Sequence, residues 1–235
     1  MSTFRQWLQQ LNWQSLAEIV VIVLSSLICI TFHELSHGYV AFRLGDPTAK
    51  RSGRLSVNPI KHIDPAGLVM MVLFRFGWAK PVPVDMRYFK KPKRDMALTA
   101  LAGPLSNVIL AFAAIVLFYA IQLLLIVSRP SQGLLLFGNY LLMFFRYTAL
   151  LSVGLAVFNL IPIPPLDGSK ILFSVLPDRA WLKLMRLERY SMILLIALLY
   201  LDVLDPILLF LRGHLLSILT YFPEELFFRL LKTLF

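Results

Sequence analysis

Apolar positions along this chain come in long blocks, and charge is collected between them. Ile19 to Phe32 and Met96 to Ser128 contain no charged residue at all. Crossing a bilayer as a helix takes about 20 apolar residues, so the pattern predicts spans over Leu16–Phe42, Met96–Ser128 and Tyr140–Ile161. A fourth is expected over about Tyr190–Leu204. Pro206–Phe222 is a candidate fifth, interrupted by Arg212 and His214. Met1–Gln14 is polar but carries Trp7, Leu8, Leu11 and Trp13, which suits an interfacial helix rather than a cleavable signal. Glu224–Phe235 reads as a surface-lying amphipathic helix. The expected fold is an all-α multi-span membrane protein with a three-helix core, a small re-entrant or β-hairpin element and additional C-terminal helices. Its divisions are 1–15 (interfacial helix), 16–176 (core) and 177–235 (C-terminal membrane and amphipathic helices).

Composition agrees. With 58% hydrophobic and 15% charged residues in 235, the chain lacks the polar surface of a soluble domain. A net charge of +10 raises nucleic acid as a partner, but the basic residues sit beside apolar spans, where anionic lipid and topology account for them. Residues 43–95 hold 12 of the 23 Lys/Arg against four acids. That imbalance places this loop in the cytoplasm of a multi-pass cell-membrane protein. Lys170, Arg179, Lys183, Arg186 and Arg189 mark the same side. Within the loop, Gly53–Leu68 is rich in turn formers, Gly67–Phe74 is apolar but too short to span, and Pro81-Val82-Pro83-Val84 can offer only an edge strand. A re-entrant or interfacial hairpin fits, whose edge can pair with an opened substrate strand. The lone Cys29 excludes a disulfide framework.

The chemistry enters at Thr31-Phe32-His33-Glu34-Leu35-Ser36-His37-Gly38. His33 and His37, four residues apart, leave one face of a helix a turn apart and can reach one metal ion. Glu34, about 100° around the helix, is badly placed as a ligand but well placed as a general base for the water in a catalytic zinc site's open position. Ionisable groups inside a span are there for function by default. Nine residues separate Glu34 from Arg43, which puts the site about 13 Å inside the cytoplasmic boundary. A catalytic zinc needs a third protein ligand. Asp167 follows three prolines that break the third span at a matching depth, so it reads either as that ligand or as a cap of the next helix. Asn107, after Gly103 and Pro104, is either glue between helices or part of the site. Cys29, one turn before His33, is a ligand candidate or a small apolar filler. His62 and Asp64 are groups behind the ligands or solvated loop residues.

Three stretches together resemble the site-2 protease family of intramembrane zinc metalloproteases: His33-Glu34-Leu35-Ser36-His37, Gly103-Pro104-Leu105-Ser106-Asn107, and Asn159-Leu160-Ile161-Pro162 followed by Leu166-Asp167-Gly168. Asn58 to Pro65 is similar to a stretch of bacterial members. The resemblance covers about residues 19–176. It implies one Zn²⁺ per chain on His33, His37 and Asp167, activation of water by Glu34, and a role for Asn107 in holding the substrate or the reacting carbonyl. It also implies cleavage of a transmembrane protein substrate within the bilayer. No PDZ-like domain interrupts the chain and no nucleotide-sensing domain follows the spans, so the regulation those domains give is expected to be absent or supplied in trans by a membrane protein. Ligand type alone leaves iron or cobalt open beside zinc. A metal-binding membrane scaffold or a divalent-metal transporter would use the same ligands, but neither needs a base at Glu34.

Overall fold

The structure is a computed structural model, described here over residues 13–65, 67, 79–177 and 191–234. Its elements are α1 (Trp13–Arg43), a single turn α2 (Thr48–Arg51), α3 (Pro92–Ser128), α4 (Gln132–Asn159), α5 (Asp167–Ser174), α6 (Ser191–Tyr200) and α7 (Asp205–Leu234). Among the described residues, α1, α3, α4 and α7 are long and apolar enough to cross a membrane. No strand occurs there. The hairpin element is represented by one antiparallel bridge, Ile63 to Ala79, and the apolar stretch expected at its tip lies outside the described residues. So does the interfacial helix expected before Trp13.

Lipid offers no hydrophobic drive for helices to associate, so close approach falls to small side chains and buried hydrogen bonds. On α1, Ser25 Oγ donates to the Phe144 carbonyl at 3.2 Å and Cys29 Sγ meets Ser152 Oγ at 3.0 Å, which sets α1 parallel to α4. Asn107 Nδ2 donates to the Cys29 carbonyl at 3.4 Å and Ser106 Oγ to the Phe32 carbonyl at 3.3 Å, which sets α3 antiparallel to α1. Ala111, Ala114, Ala149, Val153 and Val157 fill the α3–α4 interface, covered by Leu208, Leu215, Leu216 and Leu219 of α7. Cys29 is 1% exposed and its sulfur is spent on this seam, the role of a small filler.

The C-terminal third differs from the expected layout. Leu195 of α6 and Leu204 pack with Leu166, Ile161 and Ile163. The described part of the expected fourth span is therefore a 10-residue helix lodged at the metal-site end of the bundle, too short by itself to cross. At the C-terminus α7 runs as one helix of 30 residues with Pro223 inside it. The segment expected as a separate surface helix continues the same helix, with Phe227 against Tyr119 at 5.4 Å.

At the end carrying Arg43, Gly45 takes φ +113° and lets the chain turn. Asp46, fully buried, then ties the loop down: its carboxylate accepts from the Thr48 N–H at 2.9 Å and the Asp85 N–H at 2.7 Å. The connector thereby folds back under α1, towards the His-Glu-x-x-His turn.

Candidate metal centre

His33 and His37 leave α1 a turn apart, ring centroids 4.6 Å apart and nearly perpendicular. Asp167 approaches from α5. Pro162, Pro164 and Pro165 end α4 at Asn159 and turn the chain so that α5 begins at Asp167 itself. The helix cap is Leu166, without a side-chain cap bond, so Asp167 is not consumed in capping. Its Oδ2 lies 3.2 Å from His33 Nε2 and 3.1 Å from His37 Nε2. All three side chains are buried.

The hydrogen bonds behind the imidazoles assign their tautomers. His37 Nδ1 lies 2.7 Å from the Thr99 carbonyl, which can only accept, so Nδ1 carries the proton. His33 Nδ1 lies 3.0 Å from Asn107 Oδ1, whose Nδ2 donates elsewhere, so the same holds. Pro104 lacks the N–H that would bond the Ala100 carbonyl, loosening α3 beside Thr99. In neutral imidazoles the two Nε2 lone pairs then face a carboxylate oxygen at hydrogen-bond range. Three acceptors converging on one point need a cation between them.

Zinc suits the spacing. Ligand atoms at about 2.0–2.1 Å from a tetrahedral ion are roughly 3.3 Å apart, close to the two contacts of Asp167. The three ligand atoms all lie within 4.8 Å of one another. Two nitrogens and one carboxylate oxygen form a three-ligand set that keeps a fourth position open. The three side chains line a cavity of about 330 Å³ whose walls also include Glu34, Val82, Asn159 and Lys170.

Two glycines make the approach feasible. A Cβ on Gly103 would lie 2.4 Å from His37 Nε2 and 2.7 Å from His33 Cε1, so α3 can press on the imidazoles only without one. A Cβ on Gly168 would lie 2.2 Å from the Leu160 carbonyl oxygen, a backbone atom with little room to move. Gly168→Ala is expected to lower stability by about 1–3 kcal/mol and to draw Asp167 away from the histidines. Thermal melts and zinc content of the purified variant check this; a fully zinc-loaded Gly168→Ala protein would contradict it.

The other sequence candidates are distributed differently. Asn107 is fully buried, with its amide oxygen on His33 Nδ1 and its amide nitrogen on the Cys29 carbonyl. Its replacement by alanine is expected to cost about 10–100-fold in zinc affinity, read by competition with a chelator. His62 is 1% exposed but its Nε2 donates to the Ser56 carbonyl at 2.8 Å. Asp64 Oδ1 accepts from the Gly67 N–H at 3.0 Å. Both serve the loop, and neither lines the cavity. Three partners were not foreseen. Lys170 Nζ sits 3.3 Å from Asp167 Oδ1; its i+3 spacing on α5 was the available signal. The Thr99 carbonyl and the Val82 N–H, which donates to Glu34 Oε2 at 2.9 Å, are main-chain groups without a sequence signature. The second bond engages the Val82 N–H with Glu34.

Comparison with known proteins gives a consistent result. The family model described as Peptidase family M50 matches residues 20–201. The chain is 41% identical over 177 residues to "Putative zinc metalloprotease YwhC" of Bacillus subtilis, covering 75% of this chain and 78% of that protein. Rip2 of Mycobacterium tuberculosis, named in the same terms, is 30% identical over 76% of this chain and 66% of its own length. MJ0611 of Methanocaldococcus jannaschii, again so named, is 28% identical over 65% and 71%. No solved structure matches.

Proposed function

From the premise that the chain belongs to peptidase family M50 and is an intramembrane zinc metalloprotease, we propose that it cuts peptide bonds of membrane-spanning proteins near the cytoplasmic face of the bilayer. The observation that carries this reading is the convergence of His33 Nε2, His37 Nε2 and Asp167 Oδ2 with Glu34 beside them on one cavity. Residues 16–176 form the catalytic core, braced by α7, with the basic loop of residues 43–95 in the cytoplasm. His33, His37 and Asp167 would hold one zinc ion per chain, which would supply polarisation of the scissile carbonyl and a lowered pKa, towards about 7, for a water.

The chain's own groups do the rest. Glu34 accepts the proton of the attacking water and delivers it to the leaving nitrogen. Asn107 and the Thr99 carbonyl hold the imidazoles in the tautomer that presents Nε2 to the metal. A substrate helix has its carbonyls engaged in its own hydrogen bonds, so it has to unwind locally before one can enter.

The test is zinc content and cleavage by detergent-purified protein against a panel of single-span membrane proteins. One zinc per chain and chelator-sensitive cleavage of at least one substrate are expected. Stoichiometric zinc with no cleavage across the panel would favour a scaffold or transporter instead.

A further inference from the structure

Glu34 is held from outside its own helix. Its Oε2 accepts from the Val82 N–H at 2.9 Å, and three separate features fix Val82. The first is a notch on α1. A Cβ on Gly38, one turn beyond Glu34, would lie 3.0 Å from Val82 Cγ1 and 2.8 Å from Leu55 Cδ2, so the missing side chain is what lets Val82 seat there. The second is local. Pro81 and Pro83 flank Val82, restrict its backbone to extended conformations and carry no N–H of their own. The Val82 amide is thus the sole main-chain donor of that tripeptide.

The third feature is Arg54, 7% exposed. Its guanidinium donates to the carbonyls of Lys61, Lys80 and Pro81, which lie on the two arms of the loop. The Lys80 N–H donates in turn to the His62 carbonyl at 3.0 Å. A planar fork with five donors can bridge several carbonyls in a fixed geometry, which a lysine cannot reproduce. The clamp closes directly before Val82.

We propose that Arg54 and the Val82 amide are positioning elements for Glu34: the clamp sets the strap, and the strap's one amide holds Oε2 so that Oε1 is left to the cavity. This rests on reading Glu34 as the general base. A glutamate with three free torsions would spend much of its time turned away, and misplacement by about 1 Å can cost on the order of 100-fold in rate. A purely structural role, in which Glu34 merely satisfies a half-buried N–H, makes no such demand on turnover.

Two variants separate these cases. Val82→Pro removes the N–H while keeping an extended backbone, and Arg54→Lys keeps the charge but loses the fork. The contact itself is read without activity, in metal-free protein labelled with ¹⁵N-valine. The Val82 amide resonance, identified by its absence from the Val82→Pro spectrum, is expected to move upfield in Glu34→Ala and partway in Arg54→Lys. A resonance unmoved by Glu34→Ala would overturn the proposal. For turnover, kcat and KM are measured on a fluorogenic single-span peptide. Val82→Pro is expected to keep its zinc, hold KM within about twofold and lose about 10–100-fold in kcat, with Arg54→Lys between it and the wild type. Wild-type kcat in zinc-loaded Val82→Pro, beside an inactive Glu34→Gln control, would sink the inference alone. Absence of cleavage by the wild type would instead sink the protease reading.

Discussion

Asp167→Ala protein is expected to leave the membrane folded but without zinc. Loss of a group standing behind a ligand already costs about 10–100-fold in metal affinity, and loss of one of three ligands exceeds that. The change also removes the anion against which Lys170 sits at 3.3 Å, so the ammonium and any bound cation would repel each other at close range. Cleavage should fall to background. Zinc content by mass spectrometry is the direct measurement. A thermal melt with and without chelator adds a control: a ligand at 1,000 times its Kd stabilises by about 4.1 kcal/mol, so chelator should lower the wild-type Tm and leave that of Asp167→Ala unmoved. Asp167→Ala protein that still carries one zinc per chain would show that the third ligand is another residue.

Glu34→Gln should behave in the opposite way, keeping its metal and losing its chemistry. Glutamine has the same shape, and its side-chain oxygen can still accept from the Val82 N–H, so the strap and the ligand set stay in place. What disappears is the base. Loss of general-base catalysis is worth about 10²–10⁴-fold, and a 1,000-fold drop corresponds to about 4 kcal/mol of barrier. The expected result is one zinc per chain, a wild-type melting curve and kcat reduced in that range. Full function in Glu34→Gln would point to the scaffold or transporter that the ligands alone also permit.

Much of this site was legible along the chain because its first part is local. His33, Glu34 and His37 lie within five residues, and the helical period alone decides which of them share a face. The three prolines before Asp167 announced a broken helix, and the amide of Asn107 inside an uncharged block announced a partner. What misled was also local. The charges from Glu224 onward read as a separate surface helix, yet α7 continues through Pro223, with Phe227 packed on Tyr119. Residues 191–204 are apolar enough to suggest a span, yet Leu195 and Leu204 find a buried seat around Leu166.

By itself the sequence determined the first three membrane-spanning blocks, the chemical type of the candidate ligands and the helical register of the two histidines, all of which follow from hydropathy and a 3.6-residue period. The tertiary structure decided the rest. Asp167 reaches His33 across 134 positions because Gly103 and Gly168 let backbones approach where any Cβ would collide. The Thr99 carbonyl selects a tautomer, and the Val82 amide meets the Glu34 carboxylate. Main-chain donors and acceptors are the same at every residue, so no pattern of side chains marks which of them will meet a functional group. That depends on how α1, α3 and the loop are pressed together.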